Sequence, residues 1–89
     1  MIPASLAKHL SIERAEAVHG GCIHECYRVE IGGRAFFLKS NDAQYADAFA
    51  AEAIGLNAIR KTAMRAPEPL SHGIAGGQAY LLLEYLDFR

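Results

Sequence analysis

The order of apolar and polar residues along the chain predicts a sheet of short strands covered by one helix. Residues 3–10 are compatible with a short entry helix, and residues 14–18 with a weak first strand. Between residues 27 and 31 apolar and charged side chains alternate, which is the period of a strand with one buried face. The glycines at 32–33 signal a tight hairpin, so the next strand is predicted to return over residues 35–40.

A longer helix is predicted over residues 44–62, where apolar side chains recur at spacings of three and four. The predicted inward stripe comprises Phe49, Glu52, Ala53, Leu56 and Ile59. We expect Asn41 or Asp42 to cap the start of this helix. Gly55 lies inside it, where glycine costs about 1 kcal/mol relative to alanine. A close approach of the helix to the sheet would explain a glycine at this position.

After this helix the chain is predicted to form a second hairpin. Pro67 and Pro69 end the helix and enforce an extended exit. Residues 70–73 and 79–86 are the predicted strands, joined by a Gly-Gly turn. The predicted order is β-β-β-α-β-β. It corresponds to a single α+β domain over residues 1–89, in which a five-stranded antiparallel sheet is covered by one main helix.

Composition narrows the functional classes. Hydrophobic residues make up 52% of the 89 residues, which is enough for a core, and the net charge is −1. This is not the basic footprint of a nucleic-acid-binding protein. No apolar run approaches the roughly 20 residues that span a bilayer, and the N-terminus lacks the features of a signal peptide. We therefore expect a cytoplasmic protein with no membrane partner. The cysteines and histidines lack metal-ligand spacing, so no metal site is expected in this chain.

Two charged residues fall at positions that the pattern predicts to be inward. Lys39 ends an apolar strand and shares one face of it with Phe37, and Glu52 lies in the stripe of the predicted helix. A lone buried charge is costly, so the sequence predicts an ion pair between the two. Taken singly, each has an ordinary alternative. Lys39 could be a surface residue that extends to water, and Glu52 could be partly solvated at the edge of the stripe.

A glycine turn made of Gly20, Gly21, Cys22 and Ile23 precedes these charges. A hairpin tip without bulky side chains lets backbone N–H groups approach phosphate oxygens. The same glycines are also ordinary turn chemistry, and the Gly-Lys-Ser/Thr of a Walker A loop is missing. His24 is expected to be a solvated turn residue. Glycine turn, strand lysine and helix glutamate, in this order, match the nucleotide-binding parts of a protein kinase-like lobe.

Under this interpretation the C-terminal run becomes the connector to a second lobe. Its backbone carbonyl and amide groups would hydrogen-bond the edge of an adenine. Val18, Phe37 and Leu83 are candidates for the apolar slot around that base. The alternative is that residues 83–86 are simply the end of a core strand.

Five segments carry a resemblance to a known family, namely residues 20–25, 36–41, 49–56, 66–69 and 82–86. Together they resemble the N-terminal lobe of the fructosamine (ketosamine) kinases, in the aminoglycoside phosphotransferase-like branch of the protein kinase-like fold. The resemblance runs from about residue 11 to the last residue. The chain departs from it at His24, where the family often has Asn.

The resemblance implies ATP-dependent phosphorylation of ketosamines, which are sugar-derived adducts of amines. It places Lys39 on the α- and β-phosphates with Glu52 as its partner, the turn 20–23 over the phosphates, and Glu84 to Leu86 at the adenine. Such kinases carry the catalytic aspartate and the Mg²⁺ ligands in a C-terminal lobe. That lobe is expected to be absent from these 89 residues, so we expect the chain alone to be inactive.

Two other functions stay open at this point. One is the N-terminal lobe of another small-molecule kinase, such as an aminoglycoside or choline kinase, since the acceptor site would lie mostly in the second lobe. The other is a non-catalytic α+β module that binds another protein through an exposed apolar strip. The sequence predicts no oligomeric state.

Overall fold

The computed structural model describes residues 2–19 and 23–86. Within them the chain forms helix α1 (Ala4–Leu10), helix α2 (Ala46–Arg60) and a 3₁₀ turn (Ala43–Tyr45) that leads into α2. The strands are β1 (Arg14–Ala17), β2 (Glu25–Ile31), β3 (Arg34–Asp42), β4 (Pro69–Ala75) and β5 (Gln78–Glu84). The predicted α+β class and element order are confirmed, and the boundaries differ from the predicted ones by a few residues.

The five strands form one antiparallel sheet in the order β1-β2-β3-β5-β4. The first three strands follow one another through the sheet. After α2 the chain adds β4 at the far edge and then returns with β5 between β4 and β3. Because β5 is an interior strand, both of its faces are covered, and Ala79 to Leu83 are all buried. This position accounts for the continuous apolar run in its sequence.

The two faces of the sheet are covered differently. On the face that we call closed, α1 packs through Leu6, which is completely buried. The core of this face consists of Leu6, Tyr27, Val29, Leu38, Tyr80 and Leu82. On the face that we call open, α2 packs mainly on β4 and β5. Its core consists of Phe49, Ala53, Ala79, Leu81 and Leu83. Beside α2 on this face the side chains of Arg28, Phe37 and Lys39 stay partly exposed, and we call the surface that they form the cleft.

A glycine at the tip of the second hairpin allows α1 to reach the closed face. Gly76 has a φ of 61°, in the left-handed region. A Cβ atom at this position would lie 2.0 Å from Oγ of Ser5 in α1. Gly76 is therefore required both by the turn and by the close approach of the helix. The predicted Gly-Gly hairpin is confirmed.

Three expectations about α2 are wrong. No side chain of Asn41 or Asp42 caps it, and a 3₁₀ turn leads into it instead, in which the N–H of Ala46 donates to the carbonyl of Ala43. Gly55 faces open space, with no atom within 4 Å of a Cβ built there. It lies two residues, or about 200° of helix rotation, from the sheet-facing Ala53. Ile59 is 41% exposed, so the buried stripe ends before it.

Candidate functional site

Lys39 and Glu52 form an ion pair on the open face. The ammonium Nζ of Lys39 donates to Oε2 of Glu52 over 2.6 Å. The side chains are 21% and 30% exposed, so the pair is partly accessible to water. The predicted ion pair is thus present. The role of Lys39 toward a phosphate stays a prediction.

The local sequence explains why the two charges meet. Lys39 lies in β3 between Cys26 of β2 and Leu81 of β5, and all three side chains point to the open face. Glu52 follows the buried Phe49 by three residues, which places it one helical turn further along the inner side of α2. An ammonium group has three donors, of which the bond to Glu52 uses one, and binding of an anion requires such donors.

An apolar pocket opens near this pair. It has a volume of about 320 Å³ and is lined by Val18, Phe37, Pro67, Glu84, Tyr85 and Leu86. Phe37 is two residues before Lys39 on the same face of β3, a separation of about 7 Å along the strand. Lys39 does not line the pocket, but it lies on the same face of the sheet and follows the lining residue Phe37 by two positions.

The structure brings together most of the residues that the sequence analysis proposed for a nucleotide base. Val18, Phe37, Glu84 and Leu86 all line the pocket. Leu83 does not, because it is 3% exposed and belongs to the core beneath α2. Its place on β5 is covered by the helix, which the sequence pattern could not show. A second cavity, of about 260 Å³, also borders Glu84 and Leu86 and is lined by Arg60 and Arg65 among others.

The glycine turn is only partly described. Gly20, Gly21 and Cys22 lie outside the described residues, so their proposed place over phosphates stays a prediction. Ile23, the last residue of the predicted turn, is 79% exposed. It lies directly before His24, whose position is well defined by its contacts.

His24 is not the solvated turn residue that we expected. Its Nδ1 lies 2.9 Å from Nδ2 of Asn41, and its ring packs edge-on against Tyr45 and at a tilt against Phe49. The side chain is half-buried as a result. The expectation failed because the partners are 17 to 25 residues away in the sequence and meet His24 only after the sheet and α2 have assembled.

Arg28 is a further residue of the open face that the sequence analysis passed over. Its guanidinium lies 5.3 Å from the centre of the Tyr85 ring and donates to Oε2 of Glu30 over 3.1 Å. The hydrogen bond to Glu30 raises the pKa of Arg28. The signal was present in the alternation of β2, since the polar positions of this strand share the face of Lys39 and Phe37. We took that face for solvent, and it is the wall of the cleft.

Among residues 2–19 and 23–86, no three His, Cys, Asp or Glu side chains are grouped so that they could hold a metal ion. In the same part of the chain no helix is long and apolar enough to cross a bilayer.

Comparison with known proteins decides the family. The family model of the fructosamine kinases matches residues 1–89. The chain belongs to the fructosamine kinase family. Membership covers the whole of the chain, including the pocket, the ion pair and the turn.

Relatives in this family are found in bacteria and plants. The chain is 42% identical over 78 residues to a probable ketoamine kinase of Synechocystis. The matched region covers 86% of this chain and 26% of the relative. It is 32% identical over 83 residues to the chloroplastic protein-ribulosamine 3-kinase of Arabidopsis thaliana, with 91% and 26% covered. The chain thus spans about a quarter of the length of the curated relatives it matches.

Solved structures agree with this assignment. The chain superposes on a candidate fructosamine-3-kinase of Haemophilus somnus 129PT with a TM-score of 0.82 and 27% identity, covering 93% of this chain and 31% of the other. An aminoglycoside phosphotransferase in a ternary complex with ADP and hygromycin B superposes with a TM-score of 0.56 at 19% identity, covering 90% and 27%. The second likeness shows the fold alone.

Proposed function

We propose that these 89 residues are the ATP-binding lobe of a kinase that phosphorylates ketosamines. The observation that carries the proposal is the Lys39–Glu52 ion pair beside the apolar pocket, in a chain of the fructosamine kinase family. Relatives named ketoamine kinase and protein-ribulosamine 3-kinase support the substrate class. The fold neighbour that binds ADP supports an adenine nucleotide.

Each part of the site receives a distinct role in this proposal. The apolar walls, Val18 and Phe37, enclose the flat base, while the backbone of residues 84–86 pairs with its polar edge. Lys39 donates to the phosphates, and Glu52 holds the lysine in place. The turn 20–23 offers backbone N–H groups to the phosphate oxygens. When bound, Mg²⁺ would neutralise phosphate charge. Its ligands and the ketosamine site are assigned to a second, C-terminal lobe.

The fit between residues and ligand is chemical as well as geometric. A nucleotide is apolar and planar at one end and anionic at the other, and the site has the same polarity, with the ammonium of Lys39 as its cationic end. Hydrogen bonds to a charged group contribute about 1.5 to 3 kcal/mol each. Lys39 is therefore the residue whose loss is expected to weaken phosphate binding most.

Nucleotide binding is tested by calorimetric titration of the chain with ATP and Mg²⁺. Lys39→Ala is expected to weaken binding at least about tenfold, or 1.4 kcal/mol. Lys8→Ala is the matched control, since it removes the same charge from an exposed position on α1, across the sheet. Equal affinity of Lys39→Ala and the unmodified chain would contradict the role of Lys39. Absence of binding by the unmodified chain at millimolar ATP would contradict the nucleotide site itself.

The substrate class needs a second experiment, because the acceptor site is assigned to the other lobe. The chain can replace the matching segment of the Synechocystis relative, and the chimaera can be assayed with Mg²⁺-ATP. We expect phosphorylation of a ketosamine adduct of lysine, and none of an aminoglycoside or of choline. The chimaera with Lys39→Ala serves as control for the contribution of this lobe. Transfer to choline or an aminoglycoside in preference to the ketosamine would replace the proposed substrate.

Family membership argues against the alternative of a non-catalytic protein-binding module. The aminoglycoside alternative rests only on a likeness of fold at 19% identity. We keep a cytoplasmic location as part of the proposal, since a kinase of this kind would meet ATP there. The plant relatives that are named chloroplastic show that the family also acts in other compartments.

A further inference from the structure

Asn41, at the end of β3, contacts His24 through its side-chain amide. The Oδ1 atom of Asn41 accepts from the backbone N–H of Asp42 over 2.8 Å. This bond fixes the amide so that its Nδ2 donors face His24 and the carbonyl of Ile23, at 2.9 Å and 3.4 Å. Since Nδ2 can only donate, Nδ1 of His24 must accept.

The opposite side of the His24 ring rests on the start of α2. Its centroid lies 5.3 Å from that of Tyr45 at an interplanar angle of 83°, and 4.8 Å from that of Phe49 at 59°. Phe49 is 1% exposed and lies one helical turn before Glu52. His24 thus contacts both elements that supply the ion pair, β3 with Lys39 and α2 with Glu52.

The position of His24 in the sequence gives these contacts a consequence for binding. His24 directly follows the predicted phosphate-binding turn 20–23, and Asn41 also holds the carbonyl of Ile23. One end of the turn is thereby attached to the frame that orients Lys39. If the hydrogen bond were lost, the ring could still pack on α2, but Asn41 would no longer be tied to the residue that follows the turn.

We propose that His24 is a positioning residue for phosphate binding. Through the hydrogen bond from Asn41 it sets the end of the glycine turn relative to Lys39 and Glu52. This inference rests on the proposed nucleotide-binding function and deepens it by naming a residue outside the predicted site. It assigns the effect to the acceptor atom Nδ1, not to the packing of the ring.

Two substitutions separate the acceptor from the ring. His24→Phe keeps an aromatic ring against Tyr45 and Phe49 but has no acceptor. His24→Asn loses the ring but places an amide oxygen where Nδ1 lies. We expect His24→Phe to bind ATP about fivefold more weakly, the effect of one lost hydrogen bond. His24→Asn should stay within about twofold of the unmodified chain.

The affinity for adenosine separates an effect on phosphate binding from a general structural effect of the substitution. It occupies the apolar pocket without phosphates, so its affinity should be the same in the unmodified chain and in both variants. A fall in adenosine affinity equal to that for ATP in His24→Phe would overturn the proposal. So would an equal loss of ATP affinity in His24→Phe and His24→Asn, because the ring would then be the group that matters.

A nucleotide-free measurement distinguishes failure of this inference from failure of the proposed function. At neutral pH, ¹⁵N spectra of the His24 ring should show a protonated Nε2 and an unprotonated Nδ1. Backbone ¹H–¹⁵N relaxation at Ile23 should indicate more motion in His24→Phe than in His24→Asn. If the unmodified chain bound no nucleotide, the proposed function would be contradicted, and the two nucleotide-free measurements would still decide the role of His24. A proton on Nδ1, or equal motion at Ile23 in both variants, would overturn the positioning role.

Discussion

Leu38 and Lys39 are neighbours on β3 and serve the two faces of one sheet. Leu38 points to the closed face, where it is completely buried against α1 and the neighbouring strands. Lys39 points to the open face, where its ammonium meets Glu52 and remains 21% exposed. On the closed face the buried side chains are mostly apolar. On the open face a charge pair, an arginine and an apolar pocket lie in a cleft that α2 covers only in part.

The difference shows how a small domain divides stability from binding. A chain of 89 residues has little core to spare, so one face must be closed tightly for the sheet to persist. The other face can then carry polar groups at strand positions where a stability criterion alone would favour apolar ones. A partly exposed ion pair contributes little net stability, so stability alone does not account for the Lys39–Glu52 pair.

The largest effect is expected when Leu38 and Lys39 are substituted in turn, which tests the division between stability and binding. Leu38→Ala should lower the free energy of unfolding by about 2 to 5 kcal/mol, because a buried side chain is lost and a cavity remains. Lys39→Ala should lower it by less than about 1 kcal/mol, since the pair is partly exposed. Urea titration followed by circular dichroism measures both. Ile54→Ala, at a 72% exposed position, should change it by no more than about 0.5 kcal/mol. Equal losses at 38 and 39 would break the comparison.

A second test concerns the contact that closes the α1 face. Gly76→Ala should cost about 2 to 4 kcal/mol, because its φ is in the left-handed region and its Cβ would overlap Ser5. Gly77→Ala has a similar φ and no atom within 4 Å, so it should cost only about 1 to 2 kcal/mol. Ser5→Gly combined with Gly76→Ala should recover the difference in a double-mutant cycle. If both glycines gave the same cost, α1 would not approach the hairpin as described.

The stability of the protein should also depend on alkaline pH, because a buried tyrosine lies on the closed face. Burial raises the pKa of Tyr27 from 10 to about 12, and its hydrogen bond to Glu25 adds to the shift. The folded state therefore keeps a proton that the unfolded state loses above pH 10, so stability should fall between about pH 10 and 12. Urea titrations across this range measure the slope. Tyr27→Phe should remove its share of the slope, and an unchanged slope in that variant would contradict the burial of the phenol.

The smallest expected effect is a gain in stability. Gly55→Ala should stabilise the chain by about 0.5 to 1 kcal/mol, because the position is helical and faces open space. Ala51→Gly, at another exposed position of α2, should lose a similar amount. Neither change should alter ATP affinity, since both positions are exposed and neither lines the apolar pocket. Destabilisation by Gly55→Ala would instead support the close approach of α2 to the sheet that the sequence led us to expect.

Much of the fold followed from local chemistry. The alternation in β2, the Gly-Gly hairpins and the apolar run of β5 each fixed an element before any contact was known. Less of the candidate site could be predicted from local chemistry. The Lys39–Glu52 pair was predictable because both charges stood at inward phases of their elements. The role of Arg28 was not, although the alternation of β2 gives its face, because a polar strand position is taken as solvent-exposed until the covering of that face is known. His24 was not predictable either, because its partners are distant in the sequence.

By itself the sequence determined the elements, the inward phases of Lys39 and Glu52, and the resemblance to the fructosamine kinases. These depend on residues close together in the chain, where the periods of helix and strand act directly. Only the tertiary structure decided that Leu83 is core while Phe37 lines the pocket, that Gly55 is exposed, and that His24 meets Asn41 and Phe49. The physical reason is that α2 covers one half of one face, and no local pattern records which half.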